Sequence, residues 1–166
     1  MSPTPERLET IDFTDAYYES THVLLVKKDS EYASAKKLAD FAGATVIGQT
    51  GTIYADLVPQ AVAAGAVAGN NLATVPLIVN AILNDTVDAT IVEEPVAKGI
   101  CSQYSNLSYV VLSDGFDVAK EDKVVSIGVR KGYDLTEQIN EVLKNVLTES
   151  VRVQLMEDAI ANAPAE

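Results

Sequence analysis

Three observations predict an α/β fold. Strand-like and helix-like segments alternate along the chain. The strand-like ones are short, nearly continuous apolar runs, the pattern of strands covered on both faces. The 166 residues, 48% of them hydrophobic, supply a sizeable core without disulfides. Strands separated by helices imply parallel βαβ units, usually right-handed. Such sheets bind ligands beyond the carboxyl ends of their strands, where helix amino termini present free N–H groups.

Residues 22–27 (HVLLVK) are the first buried strand. Residues 34–41 are rich in Ala, Lys and Leu and helical in composition, with Gly43 to end them. Residues 44–47 form the next strand, residues 48–52 (GQTGT) the turn after it, and residues 53–64 a helix broken or bent at Pro59. Residues 63–71 (AAGAVAGNN) are a loop containing a short strand. Thr74 caps a helix over 75–83, with Pro76 in its first turn. After a turn at 84–86 comes a β-branched strand at 87–92 (VDATIV), and Pro95 opens a helix to about Tyr104. Residues 107–112 (LSYVVL) are a strand, 113–123 a polar, acidic connection, and 124–130 (VVSIGVR) a final strand. Leu135, Ile139, Val142, Leu143, Val146 and Leu147 recur at helical spacing, and a second helix follows over 151–161. The tail ANAPAE is expected to fray. Two loops fit the rule for ligand sites, Gly51-Thr52-Ile53 and Glu93-Glu94-Pro95.

Charge and rare residues narrow the function classes. Twelve Lys and Arg stand against 24 Asp and Glu, a net charge of −12 that repels nucleic-acid phosphates and broad anionic membrane surfaces. One cysteine, Cys101, and one histidine, His22, exclude an intramolecular disulfide and any multi-cysteine or His-rich metal cluster. No metal and no cofactor is expected. The longest apolar stretch, residues 72–83, is too short to span a bilayer, and the opening MSPTPERLET lacks the pattern of a signal peptide. Cys101, in a helix with Val96, Ala97 and Ile100, is expected to be a buried structural thiol. His22 shows no acid or nucleophile partner in the sequence and reads as a packing or surface residue.

Four stretches, taken in order, resemble the family 3 extracellular solute-binding proteins, the amino-acid receptors of ABC importers. They are Ser2-Pro3-Thr4-Pro5-Glu6-Arg7 with the following Ile11–Tyr18 run, Gln49-Thr50-Gly51-Thr52, Val87–Glu93, and Ile127–Gly132. The resemblance implies a type II periplasmic-binding fold, with one complete Rossmann-like lobe and an incomplete second one. It places residues 1–18 in part of lobe 1, 19–123 in a whole lobe 2, and 124–166 in the returning part of lobe 1. The opening of lobe 1, which carries the aromatic residues that sandwich a ligand side chain, has no counterpart in this sequence.

The same resemblance assigns a binding site. Arg7 would hold an α-carboxylate through the planar fork of its guanidinium, and Ser2 would add a donor at the same group. Gly51 allows close backbone approach, Thr52 offers a hydroxyl and Ile53 its N–H at the positive end of a helix. Many relatives carry a hydroxyl residue where this chain has Ile53, so only the backbone group carries over. Glu93 would receive the α-ammonium. Spacing alone does not decide between Glu93 and Glu94; Glu94 suits the helix amino terminus, and Asp88 a turn. Tyr17 and Tyr18 either line the cleft or pack at the crossing between lobes.

The expected function is non-catalytic: a free amino acid bound in a cleft between lobes and delivered to an ABC transporter permease, outside the cytoplasmic membrane. A chain with an incomplete lobe is expected to bind weakly or not at all. It is also expected to self-associate through unpartnered terminal segments, which light scattering would test. Two rivals share the fold. One is a dehydratase of the cyclohexadienyl or arogenate type using Glu93 as a general acid. The other is the sensing domain of a receptor. Nothing in the residues names the amino acid.

Overall fold

A computed structural model describes residues 1–162, apart from the side chains of Glu121 and Asp122. The chain forms two compact units: Met1–Ser20 with Val118–Asn162, and Thr21–Asp117. In chain order the first unit opens with α1 (Pro5–Thr10), β1 (Ile11–Phe13) and β2 (Tyr18–Glu19). The second holds β3 (His22–Lys27), β4 (Thr45–Ile47), α2 (Ile53–Ala63), β5 (Val67–Ala68), α3 (Val75–Leu83), β6 (Ala89–Glu93), α4 (Glu94–Gln103) and β7 (Leu107–Val110). The first unit then resumes with β8 (Val124–Val125), β9 (Gly128–Arg130), α5 (Thr136–Asn145) and α6 (Glu149–Ala161).

In the second unit five strands form one sheet in the order β5-β4-β6-β3-β7. Strand β4 runs parallel to β5 and β6, whereas β3 runs antiparallel to both β6 and β7. The sheet is therefore mixed, not the all-parallel one that alternating elements imply. A continuous apolar run encodes burial on both faces, and Val23, Leu24, Leu25 and Val26 are fully buried. It does not encode direction, so β3 fills the slot between β6 and β7 in either sense. Val23 and Leu25 face Ile78, Val79 and Ile82 of α3 and Ala97 and Ile100 of α4. Leu24 and Val26, alternating with them, face the other side. Each such side chain contributes about 1.5–3 kcal/mol through burial.

Several elements depart from expectation. The helix expected over 34–41 is two short 3-10 turns, Glu31–Ser34 and Leu38–Phe41. The Asp40 carboxylate accepts from the N–H groups of Lys36 (2.8 Å) and Lys37 (3.0 Å), which caps the second turn and keeps the two apart. Helix α2 continues through Pro59, which lies on its exposed side, where water can reach the carbonyl left without its N–H partner. The strand expected over 124–130 is split into β8 and β9, because Ser126 leaves the ladder to exchange two 3.0 Å bonds with Met1.

The first unit is built on two short antiparallel ladders, β1 with β9 and β2 with β8. Among its described residues Leu143 is the one buried hydrophobic, while Val142, Val146 and Leu155 are more than half exposed. Tyr17 and Tyr18 line an apolar pocket of about 180 Å³ together with Leu147, Leu155 and Met156. The expected fraying of the tail falls, from residue 163 on, outside the described residues. No helix among the described residues is long and apolar enough to cross a membrane.

Candidate ligand-binding site

The geometry of the second unit starts from the pairing of two parallel strands. Strands β4 and β6 lie side by side with Ile47 opposite Thr90, and the buried Thr90 hydroxyl donates to the Ile47 carbonyl at 3.0 Å. Both strands therefore leave the sheet at the same end, and each turns into a helix there. The antiparallel β3 begins at that end, with His22 opposite Glu93. Helix amino termini α2 and α4 and the side chains of His22 and Glu93 thus belong to one edge of the sheet.

The turn after β4 is tight for a steric reason. A Cβ on Gly48 would lie 2.5 Å from the Ala55 nitrogen, so glycine alone lets α2 fold back onto the strand. The loop is pinned by Gly48 N–H on Asn71 Oδ1 (2.8 Å) and Thr50 N–H on the Leu72 carbonyl (2.9 Å). Gly51 follows at φ +75°, left-handed backbone with open space around it. Thr52 holds the N-cap position of α2 without a side-chain cap bond, and its hydroxyl donates instead to the Gln49 carbonyl at 2.8 Å, leaving its lone pairs available. Ile53 opens the helix, so its N–H has no acceptor in the preceding turn and carries the positive end of the helix dipole.

Glu93 ends β6 and is the cap residue of α4. The Tyr54 hydroxyl, from the first turn of α2, donates to Glu93 Oε1 at 2.7 Å. That bond joins the Gly51-Thr52-Ile53 turn to Glu93 within one unit. Burial, and next the bond to Glu93, push the Tyr54 phenol well above its ordinary range, so it remains a donor. The His22 ring lies 5.8 Å from the Tyr54 ring, tilted by 53°. His22 is buried at 5% exposure and packs on Tyr54, in keeping with its reading as a packing residue, and it stands opposite Glu93 in the β3–β6 register.

The other acids flanking β6 have separate tasks. Glu94 ion-pairs with Lys98 at 2.8 Å, one turn along α4, and Asp88 accepts from the Thr45 N–H at 2.7 Å. Cys101 is half-buried against the core rather than fully enclosed, and burial pushes its thiol up. Among the described residues no group of His, Cys, Asp and Glu is arranged to hold a metal ion.

The first unit brings Ser2 and Arg7 together. Helix α1 starts with Pro5 in its first turn, and from it Arg7 Nη1 donates to the Ser2 carbonyl at 2.9 Å. Ser2 is buried at 9% exposure, while Arg7 is exposed. The Ser2 carbonyl also accepts from the Thr4 N–H at 3.0 Å, so it organises the segment. The predicted residues thus fall into two sets, Ser2 with Arg7 and Gly51, Thr52 and Ile53 with Glu93.

Tyr54, which bonds Glu93, is the neighbour of the candidate site that sequence reasoning missed. The local signal was an aromatic hydroxyl at the second helical position after the Gly-Thr turn. Its meaning depends on β4 and β6 being neighbours, which lies outside any local window.

Comparison with known proteins gives the same direction. The chain is 32% identical over 146 residues to the arginine-binding extracellular protein ArtP of Bacillus subtilis, covering 88% of this chain and 55% of that protein. It is 27% identical over 168 residues to the ABC transporter glutamine-binding protein GlnH of the same organism, covering 58% of it. The chain spans little more than half the length of the curated relatives it matches. Among solved structures, the amino acid ABC transporter substrate-binding protein AbpA of Streptococcus pneumoniae, bound to L-arginine, superposes with a TM-score of 0.79 at 25% identity. That match covers 100% of this chain and 68% of the other. An ancestral arginine-binding protein bound to arginine matches at TM-score 0.71 and 26% identity, over 95% of this chain and 68% of the other. The fold is that of the type II periplasmic-binding amino-acid binders. Residues 1–158 match the family model of bacterial extracellular solute-binding proteins, family 3, and the chain belongs to that family.

Proposed function

We propose that this chain binds a free amino acid as the receptor component of an ABC importer, without converting it chemically. The observation that carries this reading is the Tyr54–Glu93 bond. It sets a carboxylate beside a helix amino terminus, so one edge of one sheet offers both an acceptor for an ammonium and a donor for a carboxylate. An α-amino acid carries those two groups on one carbon. Arginine- and glutamine-binding names among the relatives support the amino-acid class.

In this reading Thr52 and the Ile53 N–H receive the ligand α-carboxylate, with Gly51 giving the backbone room to approach. Arg7, in the first unit, is the residue for a two-pronged, charge-assisted contact to a carboxylate, and Ser2 holds its guanidinium through its carbonyl. Glu93 receives the α-ammonium. The two compact units correspond to the lobes of the receptor, the second of them the complete one. The partner that takes the ligand onward is a transporter permease, and the site of action is outside the cytoplasmic membrane.

Titration calorimetry with the twenty amino acids, arginine first, tests this. Removing one partner of a desolvated charge pair costs about 2–5 kcal/mol, or thirtyfold and more in Kd, so Arg7→Ala and Glu93→Gln should each take binding beyond detection. Unchanged titration in either variant removes that residue from the site. An incomplete lobe is expected to bind weakly or not at all, so the titration uses a version with lobe 1 completed, and no heat from that version with any of the twenty overturns the reading.

A further inference from the structure

The geometry points to Tyr54 as a positioning residue that holds the Glu93 carboxylate for the ligand's ammonium, a role that rests on the amino-acid reading above. The argument begins with flexibility. A glutamate has three side-chain torsions, and a free one at a strand end samples many carboxylate positions. Here one of its two oxygens, Oε1, is tied by a 2.7 Å bond from a phenol. A short O–H···O⁻ bond of this kind is charge-assisted and directional. Oε2 is left as the acceptor for a ligand.

The phenol is itself held from two sides. Its backbone is in the first turn of α2, which Gly48 locks against β4 by an approach that admits no Cβ. Its ring packs against His22, whose strand β3 is hydrogen-bonded to β6 with His22 opposite Glu93. Tyr54 is part-buried and stays protonated, so it always presents a proton to Glu93 and never a competing negative charge. The result is a relay of position. The tight turn fixes α2, α2 fixes the phenol, and the phenol fixes the carboxylate. The same helix presents Ile53 N–H one residue earlier, so the carboxylate-binding and ammonium-binding ends are tied to one element.

The other charged groups flanking β6 leave that relay intact. Glu94 is engaged with Lys98 along α4, and Asp88 with the Thr45 N–H on the opposite end of β6. Tyr54→Phe therefore removes one hydroxyl while retaining the ring that packs on His22.

Two measurements on the full chain test the proposal. The first needs no ligand: ¹³C NMR of the side-chain carboxyls, with the Glu93 resonance assigned by its loss in Glu93→Gln. The Glu93 carboxyl should move in Tyr54→Phe, and the Tyr54 Cζ should move reciprocally in Glu93→Gln, so either folded variant suffices. If neither moves, the bond is not formed in solution and the proposal is overturned. The second is calorimetry with L-arginine, or with whichever amino acid binds the wild type best. Tyr54→Phe should weaken Kd about tenfold, the loss of one hydrogen bond to a charged group, with the far-ultraviolet spectrum unchanged. Equal affinity in Tyr54→Phe and wild type overturns the positioning role and leaves the amino-acid reading standing. No binding to any amino acid by the wild type with lobe 1 completed overturns both.

Discussion

The two units of this chain draw on different sources of order. In residues 21–117 a five-stranded sheet is packed by helices, and the β3 residues Val23 to Val26 are fully buried. Residues 1–20 with 118–162 rest on ladders of two or three residue pairs, with Leu143 the one buried hydrophobic among those described. The second unit is held by apolar area, which many residues share. The first is held by specific hydrogen bonds, such as Met1 with Ser126 and Thr14 with Ile127, each made by one residue. A substitution is absorbed differently in the two cases.

The largest expected effect contrasts core and surface. Ile91→Ala, at a fully buried position of β6, should cost about 2–5 kcal/mol through lost transfer energy and a residual cavity. Leu155→Ala, at 53% exposure on α6, should change stability by no more than about 0.5 kcal/mol. Urea unfolding followed by circular dichroism measures both. Equal costs would show that the exposed apolar side chains of α6 are covered in solution, as self-association would cover them.

The next contrast lies within one loop of the second unit. Gly48→Ala forces a Cβ to within 2.6 Å of backbone atoms of Tyr54 and Ala55, and overpacking of that kind costs about 1–3 kcal/mol. Gly51→Ala meets no neighbour but holds a side chain at φ +75°, a penalty of about 1–2 kcal/mol. The two should separate functionally as well as energetically. Gly48→Ala moves α2 and with it Tyr54, whereas Gly51→Ala leaves the Tyr54–Glu93 bond in place. The Glu93 carboxyl resonance reads the difference directly.

These contrasts also explain which parts of the fold were legible in the sequence. Strand 22–27 and helix 75–83 were read with their observed limits, because burial on both faces and helical period each leave a repeated mark. Helix α1 and strands β1 and β2 have no counterpart in the pattern, since α1 buries no residue and β1 and β2 lack the fully buried apolar run that marks β3. Strands β8 and β9 fused into one expectation because Val124, Val125, Ile127 and Val129 are apolar regardless of which partner each meets. In the candidate site, Thr52, Ile53 and Glu93 carried local signals, a Gly-Thr turn before a helix and an acid after an apolar strand. Tyr54 and His22 did not, because their roles come from β4–β6 and β3–β6 adjacency, a property of topology.

The smallest expected effect tests the thin unit on its own terms. Asp12 lies on β1, paired opposite Val129, and its carboxylate accepts from the Gly132 N–H at 2.7 Å and from Lys131 Nζ at 2.9 Å. The Gly132 bond first, then the Lys131 bond, hold the carboxyl below its ordinary 3.8. A carboxyl depressed in the folded state binds its proton more readily when unfolded. Its contribution is therefore complete above the unfolded value, and is lost as pH falls through the folded one. The stability difference between wild type and Asp12→Asn should be constant near neutrality, shrink once pH drops below 3.8, and vanish in stronger acid. Asp40 in the second unit is lowered in the same direction by the Lys36 and Lys37 N–H groups. Its protonation, however, leaves a full sheet core untouched. Hydrogen exchange on acidification should accordingly open the β1–β9 amides before those of β3 and β6. Simultaneous opening of both sets would mean that the ladders of the first unit draw their stability from something other than their own hydrogen bonds.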